Sequence, residues 1–125
     1  MPATVIDTSA LTAAVFGEPD AEQVASRLDG AERVVAPALI WFELANTCWK
    51  KIRRHPEQRE WLLERFERAG ELPIQTLDIN YRAAIELATD TGLTAYDAAY
   101  LWLARDLDAD LVTLDKRLAA TARKA

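Results

Sequence analysis

Short apolar runs alternate with segments of helical spacing along this chain. The runs are rich in β-branched residues and are bounded by turn residues, which predicts strands. The predicted strands are Thr4–Asp7, Arg33–Pro37, Leu72–Leu77 and Asp110–Asp115. The predicted helices are Ser9–Phe16, Asp20–Leu28, Leu39–Arg53, Pro56–Ala69, Asn80–Thr91, Ala95–Leu107 and Lys116–Arg123. Strands that alternate with helices predict an α/β layered fold around a parallel sheet.

The helix predicted over Leu39–Arg53 has an apolar face. Its spacing places Leu39, Phe42, Ala45, Cys48 and Trp49 on one side, which we expect to be buried. Because Cys48 is the only cysteine, no internal disulfide can form, which is typical of a reducing cytoplasm. We interpret Cys48 as a small buried hydrophobic residue.

An aspartate interrupts the most apolar helix. The stretch TAYDAAYLWLA, residues 94–104, is almost wholly apolar or small, which predicts burial on most sides. Asp97 lies in its first turn and shares a face with the apolar neighbours Tyr100 and Leu101. A carboxylate in such surroundings is unfavourable unless something compensates its charge.

Four acidic residues are predicted to meet at one edge of the sheet. Asp7 ends the first strand, Asp115 ends the fourth, Glu43 follows the second, and Asp97 begins the helix that leads into the fourth. Ligands of parallel sheets bind beyond the carboxyl ends of the strands. Four carboxylates repel one another, and their oxygens select a hard divalent ion such as Mg²⁺ or Mn²⁺. Taken singly, Asp97 is explained equally well as a cap or dipole partner of its helix, Asp115 is explained better as an N-cap, and Glu43 could be a solvated residue. The convergence of the acids therefore carries the hypothesis.

Composition and charge narrow the possibilities. The 125 residues suit one compact domain, and no stretch is long and apolar enough to cross a membrane. A net charge of −5 argues weakly against a general nucleic-acid binder. A basic run, KKIRRH at residues 50–55, opposes that trend. Two readings of this run stay open: it contacts RNA phosphates through Lys50, Lys51, Arg53 and Arg54, or it is a solvated helix end favoured by the helix dipole.

The motifs VIDTSAL, ELAN, LTAYDAAYLWLA and LVTLDKRL follow in the order and spacing of PIN domains. Within that group the chain resembles the toxin ribonucleases of bacterial VapBC toxin–antitoxin pairs. The resemblance implies a single PIN domain over residues 1–125, with three α/β/α layers and a short central parallel sheet of four to five strands. It implies Mg²⁺- or Mn²⁺-dependent hydrolysis of RNA by a metal-activated water. The implied catalytic and metal-binding residues are Asp7, Glu43, Asp97 and Asp115, oriented by the hydroxyls of Ser9 and Thr113.

The same resemblance implies partners. They are an RNA substrate, a second copy of the chain, and a VapB-type antitoxin whose tail blocks the acidic cleft in a larger toxin–antitoxin assembly. We expect a cytoplasmic protein with no membrane partner. A phosphoacceptor receiver domain is a weaker alternative, since it needs adjacent acids after the first strand and only Asp7 is present there. A PIN-like scaffold that binds RNA or protein without cutting is the remaining alternative.

Overall fold

A parallel sheet of four strands lies at the centre of the computed structural model, which describes residues 3–124. The strands are β1 (Ala3–Ile6), β2 (Arg33–Pro37), β3 (Ile74–Leu77) and β4 (Asp110–Val112). Their order is β3-β2-β1-β4, and Val5 of the central strand pairs with Val35 on one side and Leu111 on the other. All four residues of β1 are buried, as expected for a strand covered on both faces. The predicted three-layer α/β fold with four parallel strands is therefore confirmed.

Within the described part of the chain, seven α-helices surround the sheet. They are α1 (Thr8–Phe16), α2 (Ala21–Leu28), α3 (Leu39–Arg54), α4 (Arg59–Ala69), α5 (Tyr81–Thr91), α6 (Ala95–Asp106) and α7 (Lys116–Arg123). The helix predicted from Pro56 begins instead with a 3-10 turn over Pro56–Gln58, and the other helix ends fall within one residue of the prediction. Within residues 3–124, no helix combines the length and apolar character that a membrane crossing requires. Residues 1, 2 and 125, the ends of the predicted domain, lie outside the described residues.

Helix α6 packs directly on the sheet. Its residues Ala98–Leu101, Leu103 and Ala104 are buried, which confirms the prediction of burial on most sides. Trp102 is only partly buried, at the edge of the core. Because α6 ends at the amino end of β4, its start lies at the opposite, carboxyl edge of the strands. Asp97 lies at that edge.

The apolar face predicted for α3 was largely wrong. The buried residues of this helix are Ile40, Leu44 and Cys48, whereas Phe42 is 85% exposed and Trp49 is 50% exposed. The helix carries apolar residues around most of its circumference, so spacing alone did not identify the side that meets the core. Cys48 is buried as predicted, its thiol points to the carbonyl of Leu62, and burial raises the pKa of that thiol.

Two predicted strands, the third and the fourth, were too long, and the first was placed one residue too late. β1 ends at Ile6 and β4 at Val112, so Asp7 and Asp115 follow the strands and serve as N-caps of α1 and α7. β3 begins at Ile74, two residues later than predicted, because the preceding Pro73 has no N–H to contribute to the ladder. The two acids therefore lie just beyond the carboxyl edge of the sheet, outside the paired strands.

Candidate active site

Asp7 is the most deeply buried acid of the site, with 4% of its surface exposed. One carboxylate oxygen accepts from the Ser9 hydroxyl (2.7 Å) and from the N–H of Ala10 (3.0 Å), and the other accepts from the Thr113 hydroxyl. Burial raises the pKa of the Asp7 carboxyl, and these three hydrogen bonds oppose the rise only in part. The negative charge of Asp115 raises the pKa of Asp7 further. Asp7 is thus fixed in direction by neutral donors.

The loop after β4 is fastened to the start of α1. The N–H of Leu114 donates to the Ser9 hydroxyl (2.9 Å), and the N–H of Asp115 donates to the Thr113 hydroxyl (3.0 Å). The guanidinium of Arg27 on α2 donates to the carbonyls of Leu111 (3.0 Å) and Thr113 (3.2 Å). These bonds hold the Thr113 hydroxyl against Asp7 and place Asp115 beside it.

Glu43 lies half-buried on α3 and is bound by two hydroxyls. Thr8 donates to its Oε1 over 2.7 Å, and Tyr100 donates to the same oxygen over 2.6 Å. The two hydroxyl oxygens lie 2.8 Å apart. Each hydroxyl has one proton and donates it to Oε1 of Glu43, so none remains for the contact between the two hydroxyls. Burial and the charge of Glu43 raise the pKa of Tyr100, so this phenol is a donor at neutral pH.

Thr8, Tyr100 and Arg27 were missed by the sequence reasoning. Tyr100 was treated as an apolar neighbour of Asp97, although a tyrosine in a buried helix usually needs a hydrogen-bond partner for its hydroxyl. That requirement was a usable signal. Arg27 gave none, because its partners are carbonyls 84 and 86 residues away along the chain.

The negative charges of all three other acids act on Asp97. It lies half-buried in the first turn of α6, and its N–H donates to the Thr94 hydroxyl that caps the helix (3.1 Å). Burial raises the pKa of the Asp97 carboxyl, and the negative charges of Asp115, Glu43 and Asp7 raise it further, in that order. Arg117 opposes the rise. Asp115 is exposed, and one of its oxygens accepts from the N–H of Leu118 (2.9 Å).

The donor set suits a hard divalent cation. Within residues 3–124, no three His, Cys, Asp or Glu side chains converge into a ready-made metal cage. Mg²⁺ does not require one, since it usually binds one or two carboxylates and keeps several waters. The acids at this edge offer only oxygen ligands, and their mutual repulsion at Asp97 is what a cation would relieve.

The basic residues singled out in the sequence lie on the last two turns of α3 and are not equivalent. Lys51 is paired with Glu18 (2.6 Å) and lies 5.4 Å from the centre of the Phe16 ring. Arg53 lies over the indole of Trp49, with its guanidinium carbon 5.0 Å from the ring centre. Within residues 3–124, Lys50 and Arg54 form no ion pair. Side-chain partners therefore divide the four basic residues into an engaged pair and a free pair.

Comparison with known proteins gives the family. The PIN domain family matches residues 4–124. Ribonuclease VapC3 of Pyrobaculum aerophilum is 34% identical over 119 residues, which cover 92% of this chain and 91% of that protein. The crystal structure of PAE2754, also from Pyrobaculum aerophilum, superposes with a TM-score of 0.80 at 23% identity and covers 99% of this chain and 82% of its own, so it shares the fold. The chain belongs to the PIN domain family.

Proposed function

We propose that this PIN domain is a metal-dependent endoribonuclease and the toxin of a toxin–antitoxin pair. The observation that carries the proposal is that hydroxyl and amide donors orient the carboxylates of Asp7 and Glu43 at the edge of the sheet where Asp97 begins α6 and Asp115 caps α7. The likeness to a ribonuclease of the VapC type supports RNA as the substrate and a VapB-type antitoxin as the partner.

The acids have separate tasks in this proposal. Asp7, Asp97 and Asp115 supply oxygens that would hold Mg²⁺ or Mn²⁺. Such an ion, when bound, activates water and neutralises charge on the scissile phosphate. Ser9 and Thr113 aim the Asp7 carboxylate, and their neutral hydroxyls leave its negative charge in place.

Glu43 completes the acidic edge from the side of α3. Both of its hydroxyl partners bind Oε1, so Oε2 takes neither of these bonds and would be available to a cation or its waters. Thr8 and Tyr100 are positioning residues that act through Glu43. Together the bonds from α1 and α6 fix the distance of this carboxylate from the other acids.

A homodimer is part of the proposal. Between α5 and α6 lies an apolar groove of about 300 Å³, and the exposed side chains of Tyr81, Ile85 and Tyr96 stand along it. Projecting apolar side chains beside a groove lined by small ones can interlock with the same surface of a second copy, as a two-fold interface requires. Sedimentation should give a dimer for the wild type and a monomer for Ile85→Glu; a monomeric wild type would overturn the dimer.

An RNA-cleavage assay tests the activity. Wild type should cut single-stranded RNA with Mg²⁺ or Mn²⁺ and stop when a chelator removes the ion, and Asp7→Asn should lose at least about 100-fold in rate. Asp90→Asn is the matched control, because Asp90 is exposed near the end of α5. This variant should cleave RNA at the wild-type rate. Cleavage by Asp7→Asn at the wild-type rate would end the proposal. RNA that wild type binds and never cuts would favour a non-catalytic scaffold.

A further inference from the structure

A groove between α1 and α3 leads away from the acidic edge. It begins one turn below the bond between Thr8 and Glu43, has a volume of about 190 Å³, and is lined near its top by Thr12 and Thr47. Thr12 follows Thr8 by four residues on α1, and Thr47 follows Glu43 by four residues on α3, so each pair shares a helix face. The lower lining consists of Glu18, Lys50, Lys51 and Arg54.

The free basic residues lie on the same side of α3 as Glu43. At 100° per residue, Glu43, Thr47, Lys50 and Arg54 fall within an arc of about 60°. Lys51 and Arg53 fall about 80° to either side, and the structure gives each of them another partner. At 1.5 Å per residue, Lys50 lies about 10 Å and Arg54 about 16 Å along the helix from Glu43.

We infer that this groove is a phosphate track for the RNA strand on one side of the scissile bond, which rests on the proposed ribonuclease function. Hydroxyls at the top and two unpaired cations at the bottom match a strand that leaves an acidic site and continues as a row of phosphates. The helix dipole favours basic residues in the last turn of α3. It does not explain why Lys50 and Arg54, which lack an acidic partner within residues 3–124, share the face of Glu43.

The net charge of the protein is a second argument for such a track. With 20 acidic and 15 basic residues, the surface as a whole repels RNA, and the catalytic acids repel it most. Two cations that are free to meet phosphates place local attraction where the strand must lie. RNA fits this surface better than an acidic peptide, because the row of hydroxyls and cations leads directly from the catalytic acids.

The test measures RNA binding separately from cleavage. In the Asp7→Asn background, a fluorescent single-stranded RNA is titrated at several salt concentrations, and Lys50→Gln/Arg54→Gln is compared with Arg33→Gln/Arg82→Gln. Arg33 and Arg82 are exposed and lie away from the groove, so the second double variant has the same charge change. Each lost phosphate contact should lower the slope of log affinity against log salt by about 0.7, or about 1.4 for both. A fourfold rise in salt should then cost the parent about sevenfold more affinity than it costs the groove variant.

The outcomes separate the track from the ribonuclease. Equal slopes for the two double variants would overturn the track. It would also be overturned if Lys51→Gln decreased the slope of log affinity against log salt as much as Lys50→Gln does. In either case, metal-dependent cleavage by the wild type would leave the ribonuclease standing. Unchanged RNA binding with lost affinity for an acidic peptide would overturn the track in favour of a protein-binding groove. A smaller slope in the groove variant, with no change in the control double variant, supports the track.

Discussion

Replacing Tyr100 by Phe should remove one of the two hydrogen bonds that orient Glu43, without disturbing the core. The ring is 1% exposed and phenylalanine keeps it, so the change removes only the hydroxyl that donates to Oε1 over 2.6 Å. A hydrogen bond to a charged group contributes about 1.5–3 kcal/mol to stability. Because Thr8 still donates to the same oxygen, Glu43 is not left unpaired. We therefore expect Tyr100→Phe to lower the free energy of unfolding by about 1.5 kcal/mol, near the lower end of that range.

Urea denaturation of four proteins measures how much the charge of Glu43 strengthens the bond: wild type, Tyr100→Phe, Glu43→Gln and the double variant. Glu43→Gln keeps an acceptor oxygen and removes the charge, so the cycle should give a coupling of about 1 kcal/mol. Tyr96→Phe is the matched control on the same helix, since Tyr96 is 65% exposed, and it should change stability by less than about 0.5 kcal/mol.

The activity of the same variants tests the positioning role. Tyr100→Phe should slow RNA cleavage about 10–100-fold, the usual effect of losing a partner that aims a metal-site carboxylate, and Tyr96→Phe should not. Two results would refute the reasoning. One is a wild-type free energy of unfolding for Tyr100→Phe, which would mean that the hydroxyl does not donate to Glu43. The other is strict additivity with Glu43→Gln, which would mean that the charge of Glu43 does not strengthen the bond.

Two further predictions concern the same edge. Burial and the neighbouring acids raise the pKa of Asp97, so the folded state keeps this proton at pH values where the unfolded chain has lost it, and stability falls as the pH rises above 3.8 through the raised value. Without divalent ions at pH 7, Asp97→Asn should therefore melt above wild type in circular dichroism while cleaving no RNA; a lower melting temperature would contradict this sign. Thr113→Val, which removes a donor to Asp7, should slow cleavage about 10–100-fold, whereas Thr89→Val, which loses only a bond to the Ile85 carbonyl on its own helix, should not. Equal rates for the two threonine variants would exclude a positioning role for Thr113.

The fold was predictable because its signals are local. Each strand is a short β-branched run and each helix has its own spacing and caps, such as Thr94 before α6 and Asn80 before α5. The alternation of the two element types then leaves few arrangements other than a layered parallel sheet. The ends of the strands were less predictable, because Asp7 and Asp115 continue the apolar runs and yet act as helix caps.

The site was predictable only in part, for a physical reason. The four acids could be placed at one edge from topology, since the carboxyl ends of parallel strands meet there. The bonds that aim them join distant residues: Tyr100 and Glu43 are 57 positions apart, and Thr113 and Asp7 are 106 positions apart. No local pattern specifies such pairs. The buried side of α3 was missed for the same reason, because the sheet and not the helix decides which apolar residues it covers.

The choice of partners explains how the acidic edge keeps its charge. Some acids elsewhere pair with cations, as Glu18 does with Lys51 and Glu64 with Arg68. Asp7 and Glu43 receive hydroxyl and amide donors instead, and within residues 3–124 neither forms an ion pair. Neutral donors fix the direction of a carboxylate without cancelling its field. The field would therefore be available to a divalent ion or to a basic side chain of a partner. Lys50 and Arg54, which the proposed track assigns to RNA phosphates, lie apart from this field at the far end of α3.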